Sequence, residues 1–226
     1  MNELGLDYDA IEACLSTDRF GPYLLSCEGD KAEALKLYEL NTKVSASLYA
    51  PLQALEVTLR NRFHQGLSAV YGEWWFNRGD VIWQLFQRRR IGEAQVDLAQ
   101  EGKQITPGRV VASLMFGFWT ACLAAPYDNA LWRRGGIGKA FHAGGEKPTR
   151  NTVNRMLGPI RKIRNRIAHH EPILYYDLPK HHRNMVELTG WLSPEIADWA
   201  ELDSTFPALY DEELARKLLK PADRHG

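Results

Sequence analysis

The chain has 226 residues, 45% of them hydrophobic and 25% charged, enough to bury a sizeable core and ordinary for a soluble globular protein. Its 28 Lys and Arg balance its 28 Asp and Glu, which excludes a globally polycationic or polyanionic protein. Apolar runs such as residues 110–115 are too short to cross a bilayer, and the N-terminus shows no secretory pattern. Cys14, Cys27 and Cys122 are scattered without metal-ligand spacing, so a cytoplasmic chain with no membrane span, cofactor or metal is expected.

Nearly every segment reads as helix, and an all-α fold is expected. Residues 7–15 form a short helical candidate, followed by a turn at Gly21-Pro22. From Asp30, placed to cap a first turn, Leu35, Tyr38, Val44 and Leu48 recur at helical spacing. Pro51 cannot extend that helix unkinked but suits the start of another. This second helix, residues 52–71, carries Leu52, Leu55, Leu59, Phe63, Leu67 and Val70 on one side, and Gly72 closes it. Trp74, Trp75, Phe76 and Trp83 follow, rings that can stack on bases or wedge a connection against a helical core.

Residues 87–100 form a further helix. Thr106-Pro107 joins an N-cap residue to a first-turn proline and opens a helix through Val110, Val111, Leu114, Phe118 and Leu123, apolar on most sides. Residues 133–148, rich in glycine and cations, read as a mobile phosphate-contacting lid or a plain flexible connection. Thr149 caps a helix reaching about His170 and bent near Gly158-Pro159. Residues 178–192, 194–201 and 207–219 complete the helices, with Trp191, Trp199 and Tyr210 as larger core contacts.

Charge is segregated along this order. Residues 1–59 hold ten acids against four bases, whereas Lys147 to His170 hold seven Lys or Arg and no Asp or Glu. That asymmetry suits a local anionic partner; a solvated face balanced by acidic neighbours is the plain alternative. At about 100° per residue, Met156, Ile160, Ile163 and Ile167 fall within about 60° of one another as a buried stripe. Arg161, Lys162, Asn165 and His169 take the far side, Arg164 flanks them, and His170 turns toward the stripe. Asn165 and His169, four apart, are neighbours on one face.

Those residue types suit phosphodiester chemistry. An imidazole accepts and donates protons near neutral pH, a guanidinium offsets charge on phosphate oxygens, and an amide orients either. RNA supplies its own nucleophile in the 2′-hydroxyl. The structural alternative is a helix C-terminal histidine interacting with the macrodipole. An earlier Arg60-Asn61 echoes Arg164-Asn165. Glu56, Arg60 and His64, spaced by four, stack along their helix at the edge of its apolar stripe. A charged pair there needs partners, so Glu56 is expected to orient Arg60 or Arg164; a purely structural ion pair is the alternative.

Arg164-Asn165-Arg166-Ile167-Ala168-His169 resembles the R-x4–6-H motif of the HEPN superfamily. Three segments in order carry a more specific likeness: Leu55-Glu56-Val57-Thr58-Leu59-Arg60-Asn61, Tyr71-Gly72-Glu73-Trp74-Trp75, and Ile163 through Ile173. Together they resemble the Abi-like (AbiD/AbiF-type) abortive-infection proteins over roughly residues 30–200. The resemblance implies a single HEPN-type helical bundle spanning 1–226, with additional terminal helices. It implies a metal-independent endoribonuclease that leaves 2′,3′-cyclic phosphate and 5′-hydroxyl ends. Arg164, Asn165 and His169 would be catalytic, with Glu56, Arg60, Asn61, His64 and His170 supporting. Arg150, Arg155, Arg161, Lys162 and Arg166 would attract RNA. A homodimer, an RNA or protein antitoxin, and a role in phage defence or a toxin–antitoxin pair are implied too. A non-catalytic RNA-binding module or a helical regulatory protein is the competing expectation.

Overall fold

The computed structural model describes residues 5–142, 144–145 and 147–210; the expected helix over 207–219 lies outside them beyond Tyr210. Among the described residues every regular element is helical and none is a strand, as the sequence predicts. No helix is long and apolar enough to cross a membrane. The chain groups into two units. The smaller comprises Met1–Tyr49, Ile163–His182 and Ser204–Gly226, and the larger Ala50–Lys162 and Arg183–Asp203.

In the smaller unit, α1 (Tyr8–Leu15), α2 (Thr17–Ser26) and α3 (Lys31–Ser47) follow in quick succession. Side-chain caps explain two of the starts: Asp7 accepts from the amides of Asp9 and Ala10, and Asp30 from those of Ala32 and Glu33. Gly21-Pro22 is not the expected turn but lies inside α2. Proline costs that helix one amide donor, and the apolar gain outweighs it: Phe20 and Tyr23 are buried, with edge contacts to Tyr38 at 6.4 and 5.2 Å. The apolar face of α3 is Ala34, Leu37, Val44 and, just past its end, Leu48, interrupted by one buried amide, Asn41. Leu35 and Tyr38, placed on that face by spacing, are only half-buried.

The larger unit is built on α4 (Tyr49–Tyr71), which buries Leu52, Leu55, Leu59, Phe63 and Leu67. Val70, expected with them, is 50% exposed because the helix ends beside it at Gly72, in the left-handed region. Trp75 and Phe76 are buried, whereas Trp74 and Trp83 are exposed, so the aromatic cluster is chiefly a wedge. After α5 (Leu85–Gln100) the long apolar helix expected from Thr106 is instead two: α6 (Pro107–Ser113) and α7 (Phe116–Ala121). Leu114 is extended between them, and its carbonyl accepts from the buried Trp119 indole at 3.1 Å.

Residues 133–141 also depart from the loose connection expected over 133–148, of which Ala143 and Glu146 lie outside the described residues. Asp128–Arg134 is a π-helix and Ile137–Ala140 a 3-10 turn, with Ile137 and Phe141 fully buried. A Cβ on Gly135 would sit 2.6 Å from the Leu67 side chain and 2.7 Å from the Leu131 carbonyl, and one on Gly138 2.9 Å from Trp132. Glycine serves close packing at these two positions, not looseness. The remaining helices are α8 (Arg150–Ala168), which runs through Pro159, α9 (Leu178–Leu192), α10 (Pro194–Leu202) and α11 (Phe206–Leu209). Trp199, expected in the core, is 54% exposed.

Candidate functional site

The Arg/Asn/His motif occupies the last turns of α8, in the smaller unit from Ile163 on. The helix is anchored by Val153, Leu157, Ile160 and Ile163, all fully buried, while Met156 and Ile167 are half-buried. The stripe is therefore displaced toward the N-terminus from the predicted one. Thr149 caps the start, its hydroxyl accepting from the Thr152 amide at 3.1 Å. On the far side Arg155, Arg161, Lys162, Asn165 and His169 are exposed, as the helical wheel requires, and Arg164 is half-buried.

What closes the helix is specific. The His170 amide donates to the Ile167 carbonyl at 3.1 Å, and the Glu171 amide to Arg166 at 2.8 Å. This is the paired pattern of a Schellman ending, with His170 at φ 55° in the left-handed position usually taken by glycine. Pro172 then prevents any continuation. The hydrophobic contact that commonly accompanies such an ending is replaced by charge: Arg166 Nη1 lies 3.3 Å from Glu171 Oε2, and its Nε donates to the Pro172 carbonyl at 2.9 Å. The same guanidinium covers the rings of Tyr175 and Tyr176 at 5.1 and 5.7 Å.

Two residues expected to attract RNA are therefore committed elsewhere. Arg166 clamps the turn after the motif. Arg150, with a side chain only 11% exposed, donates from Nε to Asp128 Oδ1 at 3.0 Å and also bonds the Leu123 carbonyl and Asn151. Three of the five N–H donors of Arg150 and two of those of Arg166 are thus turned to protein acceptors, and Arg150 is nearly enclosed. Arg155, Arg161 and Lys162 keep the exposure that phosphate contacts need.

Glu56, Arg60, Asn61 and His64 belong to α4 in the larger unit. Arg60 is bonded to the backbone of α6. Its Nη1 donates to the Ala112 carbonyl at 3.4 Å, and its Nε is buried without an acceptor. Asn61 is exposed. His64 Nδ1 accepts from the Trp75 indole at 3.0 Å and lies 3.2 Å from the Ser68 hydroxyl, so this ring ties the buried wedge to α4. Burial holds its pKa below the ordinary histidine value, against a smaller opposing pull from Glu73.

Sequence reasoning missed Asn41. Its Oδ1 accepts from the Ile173 amide at 2.7 Å, and its Nδ2 donates to the Glu171 carbonyl at 3.4 Å. One buried amide of α3 thus holds both sides of Pro172, just beyond the two histidines. The available signal was an amide at an apolar register position, between Leu37 and Val44. Among the described residues no group of three His, Cys, Asp or Glu could hold a metal ion.

No family model, no curated protein and no solved structure matches this chain.

Proposed function

We propose that the chain is a metal-independent endoribonuclease of the HEPN type, acting in the cytoplasm in phage defence or as a toxin. The observation that carries this reading is that Asn165, on the exposed side of α8, and His169, one turn on and just past its last residue, are both exposed next to a turn held on several sides. His169 acts as acid and base on the 2′-hydroxyl and the leaving oxygen, Arg164 stabilises the charged phosphate, and Asn165 orients the imidazole or the ribose. Arg155, Arg161 and Lys162 supply attraction for the RNA backbone. Of the two histidines His169 is the better acid and base. His170 serves the helix ending, where its backbone conformation is the feature used.

The test is cleavage of a mixed RNA pool in EDTA by wild type and His169→Ala. General acid–base catalysis contributes about 100-fold or more, so the variant should lose at least that much, and products should end in 2′,3′-cyclic phosphate. A wild type that binds RNA in a salt-sensitive way yet forms no product selects the binding-module reading instead. Equal cleavage by both proteins refutes the assignment of His169.

A further inference from the structure

The start of α5, in the larger unit, presents apolar side chains to solvent. Four successive residues are exposed there: Trp83, Gln84, Phe86 and, at 81%, Leu85. The helix itself packs through Gln87, Ile91, Ala94 and Leu98. A single exposed apolar residue is ordinary, but here three in four positions run directly into Arg88, Arg89 and Arg90. Over residues 83–96 these three cations meet one carboxylate, Glu93, which takes Arg89 at 2.8 Å and Arg90 at 2.7 Å. Arg88 is exposed and in no ion pair among the described residues. The cations also stand near the end of the helix that its dipole makes positive, and the first turn holds no acid. Neither the exposed apolar group nor the placing of the charge stabilises the isolated helix. An anionic surface that also takes up apolar side chains favours both.

We propose that the start of α5 docks on an anionic lipid surface. Trp83, Leu85 and Phe86 enter the headgroup region, and Arg88 and Arg89 lie among the lipid phosphates. A nucleic acid is the weaker match, because stacking needs open ring faces. Trp83 is already against Tyr127, ring centroids 4.4 Å apart, and one side of Phe86 is covered by the Arg90 guanidinium at 5.4 Å. Leu85, the most exposed of the three, has no ring to stack. A bilayer interface asks only for protruding Trp, Leu and Phe beside arginines. Asp97 and Glu101 stand at the other end of the helix, so the same charge order turns that end to water. Three side chains and a few charges give reversible, peripheral binding. This docking does not depend on the ribonuclease reading.

The experiment floats the full chain on a density gradient with vesicles of equimolar phosphatidylglycerol and phosphatidylcholine, or of phosphatidylcholine alone. Wild type should bind the anionic vesicles and bind the neutral ones at least about fivefold less. Leu85→Ser with Phe86→Ser should lose about tenfold or more on anionic vesicles, and Arg88→Gln with Arg89→Gln about fivefold to twentyfold. Both double variants should melt near wild type, because they change exposed side chains; lost flotation without lost stability marks a docking role. His169→Ala should float like wild type. No flotation of wild type, or equal flotation of wild type and both α5 variants, overturns the proposal. So does an anisotropy titration in which the Leu85/Phe86 variant loses affinity for single-stranded RNA while wild type leaves anionic vesicles unbound; that result gives the patch to RNA. Analytical ultracentrifugation covers a second copy of the chain. A wild-type dimer that Leu85→Ser with Phe86→Ser converts to monomer, without vesicle binding, makes the patch a self-interface and overturns the proposal too.

Discussion

Replacing Asn41 with alanine should destabilise the smaller unit far more than its one missing amide suggests. The side chain is 5% exposed, and it holds the Ile173 amide at 2.7 Å and the Glu171 carbonyl at 3.4 Å. Alanine strands the Ile173 N–H, for which burial without an acceptor costs about 1–3 kcal/mol. The longer bond to Glu171 contributes little. With a small void added, the sum is about 2–3 kcal/mol, which for a chain of this length lowers Tm by about 4–12 °C. Urea unfolding followed by far-UV circular dichroism measures it, and Asn41→Leu separates the causes. Leucine refills the space but cannot accept, so it should be nearly as destabilising as alanine. Both variants within about 0.5 kcal/mol of wild type would refute the view that this amide fixes the turn beyond His169. RNA cleavage should fall with the same variants, because the ending of α8 depends on that turn.

His170→Gly should raise stability by about 0.5–1 kcal/mol, since glycine relieves the left-handed backbone, and should leave cleavage near wild type; a loss comparable to His169→Ala would make His170 the acid–base group. Gly135→Ala should cost about 1–3 kcal/mol, read by thermal unfolding, because a methyl there collides with Leu67 and two carbonyls. An unaffected melting point would show that the π-helix can move aside. His64 and His181 both have pKa values lowered by burial from 6.5. Their stabilising contribution is therefore complete above that pH, where both states are neutral. It is lost as pH falls toward the folded-state values, because the unfolded chain takes up protons first. Urea midpoints from pH 8 to pH 5 should decline below about 6.5, and His64→Gln should flatten the decline.

Local rules account for much of what the sequence foretold. The caps at Asp30, Thr106 and Thr149 work because each oxygen reaches amides two or three residues on, a relation already present in the linear order. The outward placement of Asn165 and His169 follows from helical period alone. The same logic failed wherever a distant partner set the outcome. Pro22 is helical because Phe20 and Tyr23 bury against α3, and the apolar run after Thr106 breaks because Trp119 binds Leu114's carbonyl. Glycines at 135 and 138 read as looseness, since nothing local reveals the side chains pressed against them.

The sequence by itself determined an all-helical chain and a cationic helix ending in two histidines, since periodicity and capping act over a few residues. Only the tertiary structure decided how that ending is held. Arg166 and Arg150 became clamps because carbonyls and carboxylates up to 27 positions away in the chain came within reach. Asn41, 132 positions from Ile173, became the partner of the turn for the same reason. A buried donor takes whatever acceptor folding brings to it, and spacing along the chain does not encode that choice.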